Sequence, residues 1–374
     1  MLRSLTTSTT TLAAGAVAVG LTLGAAQAQA PAPVTLTVVS WGGAYTQSQV
    51  RAYHEPFMEM NPNVTIVNDD GSANALAGLR AQHQAGNVSW DLVDMLPSEA
   101  QLACDEGILM RIDLDEMLEP APDGTPASED FIEGSTGECY VSTIIYSTVV
   151  AFNTEMFPED KQPKTIKDFF DVENFPGKRA IQDRPAVNLE WALYADGVAI
   201  EDIYDTLETE EGIERAFAKL DTIKDHLIFW TEGAQPPQLL ADKEVAFATS
   251  YNGRLFEASE VEGQPFKIIW DGQLVEWDGW VVPEGTKNKE VALELLRFST
   301  DTQRLADQAK FISYGPARTS SAALVGQHAD LGIDMGPHMP THPDNFQTPI
   351  VLNNDFWSDY VDELRERFGS WMLQ

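Results

Sequence analysis

Aromatic, acidic and basic residues recur where the predicted strands of this chain give way to turns. Trp41 and Tyr45 flank the pair Gly42-Gly43 at the end of an extended β-branched run. Glu99 stands at the start of a helix that follows the strand predicted over 90–96, and Tyr251 and Arg254 follow the strand predicted over 245–249. Trp277 and Asp278 lie in a long extended run, 274–282, and Tyr314 opens the turn Tyr314-Gly315-Pro316. Open α/β sheets bind ligands at the ends of their strands. Several aromatic rings gathered around one aspartate would form a cage for a cationic amine, each ring contributing about 0.5–2 kcal/mol through its π face. Taken singly, each tryptophan fits ordinary core filling better than ligand contact.

Signatures of catalysis are missing from the sequence. There is no G-x-S-x-G elbow, no G-x-x-x-x-G-K-[ST] loop, no G-x-G-x-x-G and no H-E-x-x-H. His54-Glu55 runs into Pro56, which blocks a metalloprotease helix. His338 and His342 sit among Pro337, Pro340 and Pro343, which reads as an irregular surface loop rather than a metal site. No catalytic residue, metal or cofactor is therefore expected. The alternative from another class is a secreted hydrolase. It would need two carboxylates about 5–10 Å apart across a substrate, and the spacing nominates no such pair.

The elements that must position these residues alternate. Residues 34–40 read as a strand, 46–60 as a helix stopped by Asn61-Pro62, and 64–67 as a strand. Ser72 can cap a helix running to Gln84, residues 90–96 form a third strand, and Ser98-Glu99-Ala100-Gln101 reads as a capping box opening a helix that Gly107 stops. This β-α-β-α-β-α rhythm predicts a mainly parallel sheet flanked by helices. The long extended run 143–153 then leads into a second α/β unit, in which Thr165-Ile166-Lys167-Asp168 caps a short helix and 210–224 is an amphipathic helix. A strand over 266–270 precedes the extended run 274–282. Two long extended runs bracketing a compact α/β unit predict a chain that leaves its first domain and returns, with helices over 288–299 and 356–372 closing the fold.

Composition sets further bounds. Residues 31–374 exceed the usual size of a single core, and 43% apolar residues with nine tryptophans suffice to fill two. The net charge of −34 excludes nucleic acid and anionic membranes as partners and attracts cations, although an acidic surface also serves solubility. Residues 1–30 read as a cleaved secretory signal peptide: Arg3 is the positive start, 12–26 the small apolar stretch, and Ala28-Gln29-Ala30 the cleavage pattern. In an exported chain, Cys104 and Cys139 are expected to form a disulfide in preference to remaining two buried thiols. Closing that loop of about 35 residues would stabilise by roughly 3–4 kcal/mol.

Seven segments together carry a resemblance. They are Ser40-Trp41-Gly42-Gly43-Ala44-Tyr45, Trp90-Asp91-Leu92-Val93-Asp94, Glu106-Gly107-Ile108-Leu109 and Asn174-Phe175-Pro176-Gly177-Lys178-Arg179. The others are Tyr251-Asn252-Gly253-Arg254, Trp277-Asp278 ahead of Val282-Pro283, and Tyr314-Gly315-Pro316. Through them, nearly all of the chain after residue 30 resembles the bacterial extracellular solute-binding proteins of ABC importers, specifically the spermidine/putrescine-binding group. The resemblance implies an α/β, two-lobed periplasmic-binding-protein fold of type II, with a ligand cleft between lobes joined by crossing strands. One lobe would comprise 31–142 plus 281–320 and the other 143–280, with 321–374 packing across both. It further implies a periplasmic monomer that captures a small amine-containing solute and hands it to an ABC permease and its ATPase.

The family's aromatic box carries over onto Trp41, Tyr45 and Tyr251, its amine-binding aspartate onto Asp278 beside Trp277, and a late-turn tyrosine onto Tyr314. One position departs. Polyamine binders carry a second acidic cluster where the match here places Arg184 and Val187, with Asp183 adjacent. In the cleft, Arg184 would repel the far ammonium of a diamine and pair with a carboxylate, as would Arg254; facing out, Arg184 would meet solvent or a surface acid. The expected ligand is thus either a polyamine such as putrescine or spermidine, or a zwitterion such as an ω-amino acid or betaine.

Overall fold

β-branched residues begin the fold: Val34–Val39 forms β1, which pairs in parallel with β2, Val64–Asp69, on one side and with β3, Leu92–Met95, on the other. The computed structural model describes residues 1–2, 5–9 and 32–374, so most of the predicted signal segment lies outside the described residues. Residues 33–374 form one unit. Between β1 and β2 the chain forms α1, Gly43–Gln49, continues through a π-helical turn at Val50–His54, and ends in α2, Glu55–Met60. Helix α3, Ala75–Gln84, precedes β3, and α4, Pro97–Asp105, follows it. The capping box expected at Ser98 is not formed. Pro97 occupies the first helical position, so the helix begins earlier, with Leu96 as an extended N-cap that makes no side-chain bond.

Two long strands dominate the middle of the sheet. β4, Tyr140–Asn153, is buried along its whole length. After it come α5, Ile166–Phe170, β5, Arg179–Gln182, α6, Asn188–Ala195, α7, Glu210–Asp221, and β6, Leu227–Trp230. Helix α5 carries the predicted capping box between Thr165 and Asp168. Strand β7, Phe247–Tyr251, leads directly into α8, Asn252–Phe256. The runs predicted as separate over 266–270 and 274–282 are one strand, β8, Phe266–Val281, because both halves pair with β4 and the ladder shifts register between Thr148 and Val150 instead of ending.

Among the described residues eleven strands share one sheet, whose main order is β2-β1-β3-β8-β4-β7-β5-β6. The first half is parallel as its alternation predicts, with β2–β1 and β1–β3 both parallel, but the whole sheet is mixed, because β3–β8, β8–β4 and β4–β7 are antiparallel. The antiparallel pair β4–β8 serves both halves, since the end of β8 pairs with β3 and the end of β4 with β7. A core of Leu36, Tyr53, Phe57, Leu92, Trp280 and Leu296 lies on the β1–β3 side. A second, containing Phe152, Phe169, Trp191, Leu193 and Phe247, lies on the other. The last helix, α9, Asn354–Met372, buries Phe356, Trp357, Leu364, Phe368 and Trp371 in that second core and also meets α4. Cys104 and Cys139 form a disulfide with Cα atoms 5.8 Å apart, which ties the end of α4 to the residue before β4. No helix among the described residues is long and apolar enough to cross a membrane.

Candidate functional site

The loop between β1 and α1 is held by its own polar side chains. Ser40 donates to Gln49 Oε1 at 2.7 Å, and the Gly42 N–H donates to Thr46 Oγ1 at 2.8 Å. Gly42 and Gly43 both have positive φ, at 73° and 59°. A Cβ on Gly43 would lie 2.4 Å from Arg254 Nη1, so only glycine lets the guanidinium reach in. Arg254 Nη2 donates to the carbonyls of Trp41 and Gly42, at 3.3 and 3.1 Å. Helix α8, which carries Arg254, is fixed by Asn252. Its Oδ1 accepts from the Ser147 N–H of β4 at 2.9 Å, and its Nδ2 donates to the Ser313 carbonyl at 2.6 Å. Gly253 permits the same closeness, since a Cβ there would lie 2.5 Å from the Tyr314 ring.

Four tyrosines line up behind this loop. Ring centroids are 5.8 Å apart for Tyr45–Tyr314, 5.9 Å for Tyr314–Tyr146 and 5.6 Å for Tyr146–Tyr251. Trp41, Ala44 and Leu96 pack against the same cluster, together with Ile144 and Ile312. Trp41 Nε1 donates to Asp278 Oδ2 at 2.8 Å. The Tyr45 hydroxyl donates to Asp94 Oδ1 at 3.2 Å, and Gln49 Nε2 donates to Asp94 Oδ2 at 2.6 Å. Burial raises both Asp94 and Asp278 well above the usual carboxylate range. The negative field of Asp278 raises Asp94 further, while the Trp41 donor opposes the rise at Asp278. Two carboxylates so placed hold on to a proton.

A third acid belongs to the same face. Residues two apart on a strand share a face, so Glu276 stands beside Asp278, opposite Tyr146 in the β4–β8 ladder. Glu276 accepts from Thr148 Oγ1 at 3.0 Å and from Arg184 Nη2 at 3.2 Å. Its side chain is 1% exposed and that of Arg184 20%. Burial opposes the charge on Arg184, but Glu276 and the neighbouring tyrosines outweigh it, so the guanidinium stays charged. Among the described residues, three buried atoms of this cluster have no hydrogen-bond partner: Asp278 Oδ1, Arg184 Nε and Arg254 Nε.

The structure thus brings Trp41, Tyr45, Arg184, Tyr251, Arg254, Asp278 and Tyr314 together. Trp277 is a correction. Because Asp278 faces the tyrosines, strand alternation turns Trp277 to the opposite face, where it packs with Ile145, Val275 and Ile132. Glu99 makes no hydrogen bond to the cluster. It is half-buried on α4, its carboxyl raised by burial and lowered again by Arg365, Arg184 and Arg80. Asp94, Tyr146 and Glu276 were not nominated by sequence reasoning. Glu276 could have been found from its two-residue spacing to Asp278, and Asp94 lies in the segment Trp90–Asp94 already singled out. Tyr146 gives no signal, since a strand buried on both faces shows no alternation.

A mixed α/β sheet crossed by two long shared strands, with a polar, tyrosine-lined cluster beside them, is the architecture of a solute-binding protein of the periplasmic type II fold. The chain belongs to the bacterial extracellular solute-binding protein family, which its residues 52–341 match. It is 36% identical over 336 residues to the gamma-aminobutyric acid-binding protein of Pseudomonas aeruginosa, covering 90% of each chain. Among solved structures it is similar to an ABC transporter substrate-binding protein from Bradyrhizobium japonicum (29% identity, TM-score 0.77, covering 90% of this chain and 99% of that one). It is also similar to a GABA receptor (30% identity, TM-score 0.76, 91% and 98% covered). The chain is the substrate-binding component of an ABC importer, working with a membrane permease and its ATPase.

Proposed function

We propose that this protein captures an ω-amino acid of the 4-aminobutyrate class in the periplasm and delivers it as a monomer, without chemical change. The carrying observation is the set of unpartnered buried atoms: one acceptor, Asp278 Oδ1, and two guanidinium donors, Arg184 Nε and Arg254 Nε, around one tyrosine cluster. An ammonium suits the aspartate and aromatic faces; a carboxylate suits the guanidinium groups. A diamine would leave those donors unmatched. The relatives described as binding gamma-aminobutyric acid favour the same choice over a polyamine. A hydrolase is disfavoured because the carboxylates beside Asp278 are already engaged, Asp94 by Tyr45 and Gln49 and Glu276 by Thr148 and Arg184.

In this reading residues 1–30 are the export signal, 31–142 with 281–320 form one lobe, 143–280 the other, and 321–374 bridge them. The ligand joins the lobes and shifts the open–closed equilibrium toward the form a permease recognises. Titration calorimetry with 4-aminobutyrate, putrescine and glycine betaine tests the reading. Tight binding of 4-aminobutyrate alone is expected, and tight binding of putrescine with no response to 4-aminobutyrate would overturn it.

A further inference from the structure

Arg184 is not an isolated cation: its Nη2 already lies against a buried acid, Glu276. Glu276 and Asp278 occupy the same face of β8, with Cα atoms about 7 Å apart along the strand. Asp278 keeps one unpartnered oxygen, whereas Glu276 is covered by the Arg184 guanidinium and by Thr148. Tyr146 stands opposite Glu276, and Tyr251 packs edge-on against Tyr146. Without the Arg184 charge, this face would present two carboxylates in line among tyrosine rings, which is the complement of a short diammonium ion.

We infer that Glu276 is a second ligand-binding acid masked by Arg184, and that this ion pair sets the site's selectivity for a zwitterion over a diammonium. The inference rests on the amine-binding reading of Asp278. With the mask in place, a second ammonium meets a fixed positive charge. With it removed, the same ammonium finds an unpaired buried carboxylate, which is costly to leave uncompensated. Glu276 also positions Arg184, because the Glu276 contact engages Nη2 and leaves Nε for a ligand oxygen.

The test is calorimetry and thermal melting of the full chain with 4-aminobutyrate and 1,4-diaminobutane. The variants are Arg184→Met, Arg184→Gln, Glu276→Gln and the double change Arg184→Met with Glu276→Gln. Arg184→Met should lose 4-aminobutyrate affinity by at least about 30-fold and gain a similar factor for the diamine. Its melting temperature should fall and be restored by the diamine but not by the amino acid. Glu276→Gln and the double variant should not bind the diamine. Diamine binding by either of these, or no gain in folded Arg184→Met and Arg184→Gln, overturns the mask, as does failure of both to fold even with diamine present. A wild type that ignores 4-aminobutyrate, alongside an Arg184→Met that gains the diamine, would overturn the ω-amino acid reading and leave the mask standing.

Discussion

Trp41 and Asp278, 237 positions apart in sequence, share a 2.8 Å hydrogen bond from the indole N–H to a carboxylate oxygen. The bond leaves Asp278 Oδ1 as the unengaged acceptor and fixes the orientation of the carboxylate toward the tyrosine rings. A charged ligand group seated there would find the acid already aimed, so little ordering entropy is lost on binding.

Substitutions at the three residues should separate accordingly. Asp278→Asn removes one member of a desolvated charge pair and should weaken 4-aminobutyrate binding by about 2–5 kcal/mol. Trp41→Phe loses one hydrogen bond to a charged group and should weaken it by about 1.5–3 kcal/mol. Trp277→Phe, on the far face of β8, should leave affinity unchanged and alter only the melting temperature. Calorimetry on the three variants decides the matter, and a loss of affinity in Trp277→Phe would contradict the strand alternation described above.

Binding should release a proton. Burial and mutual repulsion make the Asp94–Asp278 pair retain a proton above the usual carboxylate range. An ammonium on Asp278 supplies the neutralising charge instead, so affinity should rise with pH through the pair's titration. Binding heats at pH 7 should then differ between phosphate and Tris buffers, which have different ionisation enthalpies, and the difference should shrink in Asp94→Asn. Equal heats in both buffers for the wild type would refute proton release.

Stability should also depend on pH through Glu190. This fully buried acid on α6 accepts from Trp357 Nε1 at 2.8 Å and Tyr204 at 3.2 Å, and burial pushes it up to about 7. The folded state keeps a proton that the unfolded chain releases above about 4.5, so the contribution is full below that pH and is lost as pH rises toward 7. The loss amounts to about 3 kcal/mol. Buried His54, lowered to about 4, acts in the opposite direction, losing stability as pH falls from 6.5 toward 4. The difference between wild type and Glu190→Gln isolates the acid. Urea melts from pH 4 to 8 should show the wild type losing ground to the variant as pH rises, and parallel curves would refute the assignment.

The disulfide should stabilise without forming part of the binding cluster. Replacing Cys104 and Cys139 by serine reopens a loop spanning 35 positions and should lower unfolding free energy by roughly 3–4 kcal/mol. Ligand affinity, measured well below the melting transition, should stay unchanged. A variant as stable as the wild type would show the loop to be held by packing alone.

Much of this was legible in the chain. Pattern and punctuation carried the α/β alternation and put Trp41, Tyr45, Tyr251 and Tyr314 at strand ends and Asp278 in an extended run, because turn chemistry and strand length are local properties. The sequence also contained the departure at Arg184. What it did not carry was pairing. A buried strand such as β4 reads the same whether its neighbours run parallel or antiparallel, so the mixed sheet and the continuity of β8 emerged only from the ladder. The choice of face at Trp277 and Asp278 was likewise undecided: alternation says the two point apart but not which one meets the tyrosines. Asp94, Glu276 and Arg184 acquire their roles from one another across β3, β8 and the segment after β5. The sequence by itself determined which chemical groups are present and which segments carry them. The tertiary structure alone decided which charges are buried together, because burial and Coulombic pairing depend on distances through space between residues far apart along the chain.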